Sequence, residues 1–462
     1  MIRQQHANNF DWITTGIYFS LLIIGWLSIY SVTYSQNINR DIFDLSVPIT
    51  KQSVYIFIAL LVFGLSQWVD DKFWHTFAYI IYGLGLLLLL LVLIFGTEIK
   101  GAKAWFNIGG FSFQPSEIAK FGTALALSSY LTYFKTDLKF FNYQLISFAI
   151  IFAPVLLILL QPDAGSAITF FSFFLLLFLE GLNEFYYLVF ILLFTIFIFS
   201  FLFPISYVLL GLILLAILIS WIYFKHFRFQ WLIFALVFIG LIVANFYFPI
   251  YQVILAAISL LIISLIYVWK SKAERVSLLL LFGIAILSLF SYTTINFFNT
   301  LEPHQQERIK VWLKPSECDP RGSLYNILQS KVAIGAGGFM GRGYLNGNMT
   351  KLKFVPEQST DFIFSSIGEE QGFIGSLTVI VLFFVLIFRI VLMSEHSEKK
   401  FFSNFAICVA GLFFIHVLIN IGMTMGLVPI IGIPLPFISK GGSALIGFSL
   451  MLGVLLRMKR KG

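Results

Sequence analysis

Charge is what this sequence lacks most. Only 11% of its 462 residues are Asp, Glu, Lys or Arg, where a soluble domain carries about a quarter. Cysteine is nearly absent too. Cys318 and Cys408 supply no disulfide framework, and the topology below sets them at different depths. The glycine-rich stretch "GAGGFMGRG" (335–343) lacks both the Lys-Ser/Thr ending and the preceding strand of a phosphate loop. Nothing has the spacing of a zinc site or of a Ser/His/Asp triad. His304 and His416 stand isolated and read as structural. No internal repeat and no low-complexity tract occurs beyond a Phe/Leu/Ile bias.

What fills the chain instead is apolar. Hydrophobic residues make up 59% of it, 55 of them Phe, and the mean hydropathy is +0.93. A water-soluble core of this size cannot hide that surface, so the sequence reads as an all-α polytopic membrane protein. The first apolar run, near 13–30, is too long for a signal-peptide core and has no small-residue cleavage site, so it reads as a retained span. A net charge of +8 would suggest nucleic acid in a soluble protein. Here most Lys and Arg sit in short loops, where orientation in the bilayer accounts for them, and no nucleic-acid partner is expected.

A span needs about 20 apolar residues. By that measure there are fourteen: near 13–33, 52–69, 75–96, 113–133, 143–160, 166–183, 187–203, 205–223, 229–247, 249–268, 277–297, 362–389, 401–424 and 436–457. With both termini in the cytoplasm, the inner connections (70–75, 134–140, 182–184, 224–229, 269–275, 394–400 and the tail) are mostly rich in Lys or Arg. The short outer connections at 203–206 and 248–250 carry none. Two longer segments then face outside: Glu98 to Glu117, and a loop of about 64 residues from Phe298 to Asp361. That loop carries enough apolar residues to be ordered, with a short amphipathic helix expected over Leu324 to Ala333. Eight basic residues stand there against six acids.

Four clusters on the outer side carry chemistry. Asp361 precedes a helix, where it either caps free backbone N–H groups or serves as an ionised base; the two roles are compatible. Glu369 and Glu370 lie about 12–14 Å further along that helix, too remote to pair with it, and read as buried structural hydrogen-bonding groups. In "FQPSEIAK" (113–120), Pro115 suits a first helical turn. Glu117 and Lys120 are three apart there, close enough to interact. They form either an intrahelical pair or a functional cation site in the outer leaflet. "QPDAGSA" (161–167) and "GIPLPFISKGGSA" (432–444) are broken by Pro and Gly. Such backbone is tolerated at membrane depth only where it is buried or lines a cavity. That turns Asp163 and Lys440 inward, unless these are plain turns at headgroup level. A carboxylate beside several cations suits a lipid-linked anionic substrate, for chemistry or for transport.

At these same segments the sequence resembles the SEDS family of cell-wall polymerases, the RodA type rather than its FtsW relative. The matching stretches are "GAKAWFNIGGFSFQPSEIAK", "QPDAGSAI", "DPRGSLYNILQSKVAIGAGGFMGRGY", "FVPEQSTDFIFSSIGEEQGFIG" and "GLVPIIGIPLPFISKGGSAL". The resemblance implies a peptidoglycan glycosyltransferase that polymerises lipid II at the outer face of a bacterial cytoplasmic membrane during elongation and shape maintenance. Its implied partners are a class B penicillin-binding transpeptidase and other membrane proteins of the elongation complex. It puts the essential acid on Asp361 and the important lysine on Lys120. Glu117, Lys103, Trp105, Gln114, Asp163, Arg308, Lys310, Gln329, Lys440 and Ser443 complete the expected substrate-binding set. No cofactor is certain, although a divalent cation, Mg or Mn, could assist.

Three residues depart from the family pattern: Ser359 stands where His is common, Ala104 where Arg is usual, and Lys440 where Tyr is common. The family has ten spans, so about four are extra. The expected organisation is an N-terminal bundle over 1–186, inserted spans over 187–276, a span at 277–297, the outer loop 298–361 and a C-terminal bundle over 362–462. Two rivals stay open on the residues alone. A flippase would need polar residues along a path through the bilayer, and a scaffold would need no working acid.

Overall fold

The computed structural model describes residues 11–34, 47–99, 101–108, 111–133, 136–222, 230–270 and 274–460. The inner loop at 224–229 lies outside the described residues, as do residues 1–10 and parts of the loops at 134–140 and 269–275. Among the described residues, ten helices are long and apolar enough to cross a membrane: Trp12–Thr33, Pro48–Ser66, Ala78–Phe95, Phe141–Leu159, Glu184–Leu202, Ile250–Lys270, Arg275–Thr300, Ile363–Glu395, Lys400–Thr424 and Gly442–Arg460. This is a multi-pass membrane protein. The other four apolar segments are helical as well. They are Pro115–Thr132, Ile205–Ile222, Gln230–Tyr247 and a run that passes from Ala164–Thr169 through a 3-10 turn into Phe174–Leu179.

The all-α expectation needs one correction. Three short strands, β1 (Thr97–Ile99), β2 (Ala102–Ile108) and β3 (Phe111–Phe113), form an antiparallel sheet in the order β1-β2-β3. A search for long apolar runs passes over strands of three to seven residues, and "AKAWFNI" has the partial alternation of a two-faced ribbon instead.

The chain divides into two compact units, Met1–Asn183 with Asp319–Gly462, and Glu184–Cys318. The second unit has its own core, in which Ile213, Ala216 and Ile217 pack with Ala257, Leu261 and Leu265. Ser200 and Ser291 share a buried hydrogen bond of 2.7 Å between two of its helices.

In the first unit, Lys400–Thr424 is the most buried of the long helices. Pro115–Thr132, Ile363–Glu395 and Gly442–Arg460 pack around it. Asp11 caps the first helix through the Thr14 N–H at 3.0 Å. The same carboxylate accepts two bonds from Arg389 Nη2, each 2.9 Å, and one from the Lys459 ammonium. One acid thus fastens the ends of three helices.

The Ile363–Glu395 helix is interrupted at Gly372, whose φ is 66° and ψ −157°. A break in a membrane helix frees backbone groups that lipid cannot satisfy. The glycine-rich stretch 335–343 satisfies them. Arg342 N–H and Gly343 N–H donate to the Glu369 and Glu370 carbonyls at 3.0 and 2.9 Å. Phe373 N–H donates to the Gly338 carbonyl at 2.9 Å. A Cβ at Gly372 would lie 2.3 Å from the Gly341 nitrogen, so the two backbones cross where only glycine fits. The glycine-rich stretch is a helix-break support.

Candidate active site

The turn before the broken helix sets the position of Asp361. Thr360, Asp361 and Phe362 all donate their N–H groups to the Glu357 carbonyl, at 3.2, 3.1 and 3.2 Å. Phe362, not Asp361, holds the N-cap position. The half-buried acid therefore sits one residue outside the helix.

The Pro/Gly-broken stretch 432–440 is tied to this turn at three places. Ser439 Oγ donates to the Thr360 carbonyl at 2.6 Å, and Lys440 N–H to the Ser359 carbonyl at 2.8 Å. Asn420 Nδ2 donates to the Asp361 carbonyl at 3.0 Å and to the Ile433 carbonyl at 2.7 Å. Gly432, with φ 78°, passes beside the acid, so that a Cβ there would lie 3.4 Å from Asp361 Oδ2. Backbone hydrogen bonds together with a polar side chain from a third helix keep the acid in place.

Glu117 and Lys120 meet, as their spacing allows. Lys120 Nζ is 2.8 Å from Glu117 Oε1, and both side chains are almost wholly buried. Lys120 also lies 3.2 Å from His416 Nε2 and over the Phe448 ring. The His416 Nδ1 faces the Pro434 carbonyl at 3.2 Å. His416 is thus not isolated, as the sequence suggested, but links the lysine to the broken stretch beside Asp361. Desolvated ions are retained where they are paired and hydrogen-bonded. His416 and Asn420 are four apart and share a face of the Lys400–Thr424 helix. That spacing was the available signal for both, and neither was read from it.

A second polar knot joins the "QPSE" and "QPDAGS" stretches. Gln114 Nε2 donates to Asp163 Oδ2 at 2.8 Å and to Ser166 Oγ at 3.1 Å. Ser166 donates its N–H and Oγ–H to Asp163. Gln114 N–H donates to Ser443 Oγ at 3.0 Å, and Ser443 donates onward to the Ser112 carbonyl. Ser166 is a further member that sequence reading passed over.

A cavity of about 310 Å³ is lined in part by Lys353, Glu357, Ser359 and Lys440, the first three from the segment that leads into the Asp361 turn. The remaining expected site residues are spread out. Lys103 Nζ donates to the Ile94 carbonyl at 3.1 Å. Trp105 is in β2, and its carbonyl accepts from Thr97 Oγ1. Gln329 is half-buried on the Ser323–Gly337 helix, which covers the expected stretch 324–333. Arg308 and Lys310 are on the Pro303–Leu313 helix of the second unit, with Lys310 over the Phe298 ring. Glu369 accepts from Met349 N–H, Thr350 N–H and Thr350 Oγ–H, all within 2.8 Å, and so holds the start of the short Asn348–Lys351 helix. Glu370 accepts from Ser31 Oγ on the first helix.

A family model described as a cell cycle protein, the FtsW, RodA and SpoVE model, matches residues 12–209 and 208–462. The chain belongs to the FtsW/RodA/SpoVE family. Among its relatives is the peptidoglycan glycosyltransferase RodA of Treponema pallidum, 29% identical and covering 100% of both chains. Another is the peptidoglycan glycosyltransferase MrdB of Escherichia coli K12, 27% identical over 86% of this chain and 83% of that one. A solved peptidoglycan synthase complex, described as coordinating polymerization and crosslinking, matches with a TM-score of 0.63 at 24% identity, covering 98% of each chain. The rod shape determining protein RodA of Thermus thermophilus matches at 0.56 and 23%, covering 98% and 97%. The fold is that of RodA.

The three departures from the FtsW/RodA/SpoVE pattern take definite places. Ala104 is buried in β2. Ser359 and Lys440 line the cavity together, joined by the backbone hydrogen bond given above.

Proposed function

We propose that this chain is a peptidoglycan glycosyltransferase of the RodA type, polymerising lipid II with Asp361 as general base. Asp361 carries the reading: a half-buried carboxylate, fixed through its backbone by three elements, two residues after Ser359 of the cavity lining, in a protein of this family. The carboxylate takes the proton of the acceptor sugar's 4-hydroxyl. The oxygen forms a bond to the donor's anomeric carbon as the bond to the lipid diphosphate breaks, and the configuration inverts from α to β. The proton rests on Asp361, and the diphosphate leaves with the electron pair. A positioned base contributes about 10²–10⁴-fold, and nearby cations offset the charge growing on the departing group.

Among the described residues, no three His, Cys, Asp or Glu side chains come together to hold a metal ion. Lys120 acts by holding the His416 face of the site, since it is sealed beneath it. All fourteen helical segments cross the membrane in this reading, with both termini cytoplasmic. The 187–276 segments are inserted spans, and Asp361 faces the outer leaflet. The similarity to a synthase complex supports a class B penicillin-binding transpeptidase as partner. Incubating the purified protein with lipid II tests the reading. Glycan polymer is expected, and flipping of labelled lipid without polymer would overturn it.

A further inference from the structure

Residues 429–435 have no regular structure, so their backbone groups need partners from elsewhere. Side chains supply them at three successive residues. The Ile433 carbonyl accepts from Asn420 Nδ2 at 2.7 Å, the Pro434 carbonyl faces His416 Nδ1 at 3.2 Å, and Leu435 N–H donates to Ser439 Oγ at 2.9 Å. Asn420 and Ser439 also bond to the turn that carries Asp361. His416 reaches instead toward Lys120.

The two polar neighbours of the imidazole leave it one arrangement of protons. An ammonium has three N–H donors and no acceptor, and a carbonyl only accepts. Lys120 Nζ, already 2.8 Å from Glu117 Oε1, therefore donates to Nε2 at 3.2 Å. Nδ1 then carries the hydrogen that goes to the Pro434 carbonyl. A second proton on the ring would set an N–H against the ammonium. The ring is buried, and Phe448 packs edge-on against it with centroids 4.8 Å apart.

We infer that His416 is a positioning residue for the reaction at Asp361, a neutral Nδ1–H tautomer that carries the hold of the Glu117–Lys120 pair to the Pro434 carbonyl. This rests on the polymerase reading for the reaction it serves. Pro434 comes two residues after Gly432, whose backbone passes so near the acid that a Cβ there would lie 3.4 Å from Asp361 Oδ2. Holding Pro434 fixes the backbone against which the carboxylate sits. His416 acts through that backbone, so its loss is felt in turnover rather than in substrate affinity.

Two measurements on the purified full chain test this. The first is nitrogen NMR of isotope-labelled histidine in lipid bilayers. The chain has 6 His, and the resonances that vanish in His416→Gln belong to His416. A protonated Nδ1 with an unprotonated Nε2 is expected, and a protonated Nε2 overturns the inference. The second is lipid II polymerisation per folded molecule. His416→Leu lowers turnover about tenfold, the size of one lost hydrogen bond to a charged group, with KM unchanged within about twofold. His416→Gln, whose amide offers one donor and one acceptor, stays within about threefold of the wild type. Wild-type turnover in folded His416→Leu, a change confined to KM, or equal losses in the two variants removes the positioning role and leaves the enzyme standing. Where His416→Leu yields no folded protein, the glutamine variant and the wild-type spectrum decide, and a loss beyond threefold in folded His416→Gln counts against the inference. If the wild type makes no polymer, the enzyme reading falls and takes the positioning role with it, while the spectrum still decides the tautomer.

Discussion

Lys120 and Glu117 form an ion pair of 2.8 Å whose side chains are only 1% and 4% exposed. Two ions so far from water are stable together and costly apart. Lys120→Met leaves the carboxylate stranded, and unfolding in detergent should show a loss of about 3–5 kcal/mol. Glu117→Gln with Lys120→Met removes both charges and recovers most of that loss. If the double variant were as unstable as the single one, the pair would not be what stabilises this face.

Asn420 acts on Asp361 through the backbone. One amide donates to the carbonyls of Asp361 and Ile433 at 3.0 and 2.7 Å. Asn420→Leu orphans two carbonyls, at about 1–3 kcal/mol for a buried group without a partner. The base loses its fixed position with them. Polymerisation should fall at least tenfold at saturating lipid II, with a smaller change in KM, because alignment rather than binding is lost. A rise in KM alone would argue against this positioning role.

Gly372 and Gly341 cross backbone to backbone, both at positive φ. Alanine at Gly372 brings a methyl group to within 2.3 Å of a backbone nitrogen. Strain and overlap together should cost several kcal/mol, which in a marginally stable protein means little folded material. Size-exclusion recovery of Gly372→Ala measures this. Recovery equal to the wild type would mean that the crossing can relax.

Asp11 sets an acid limit. Burial alone raises its pKa, but hydrogen bonds from Lys459, the Thr14 N–H and Arg389 prevail and lower it from 3.8 to about 2. A depressed pKa stabilises the fold fully above the unfolded value near 3.8, and that contribution is lost as pH falls toward about 2. A melting-temperature profile in detergent should therefore drop across this window. In Asp11→Asn the drop should be smaller, from a lower plateau. An unchanged profile would remove Asp11 from the account.

Much of this was legible in the sequence because hydrophobic runs announce membrane helices without tertiary help. Pro115 also marked a helix start that the structure has. The β1–β3 sheet was not legible, since two of its strands have only three residues and the seven of β2 alternate only in part. The role of the glycine-rich stretch was not legible for another reason. Its role depends on the break at Gly372, and neither segment names the other. The polar network shows the same limit. Glu117 and Lys120 are neighbours on one helix and could be paired from spacing. His416 and Asn420 gain their meaning only when a second chain segment folds against them. Arg308 and Lys310 were grouped with the acid by sign of charge alone, and charge does not say which unit a helix joins.

Polymerisation of purified lipid II by Asp361→Asn is the most direct measurement. The substitution preserves shape and removes the proton acceptor. Turnover should drop by at least about 100-fold, the low end for a general base, with the melting temperature within error of the wild type. Wild-type turnover in a well-folded Asp361→Asn protein would contradict the account at its centre.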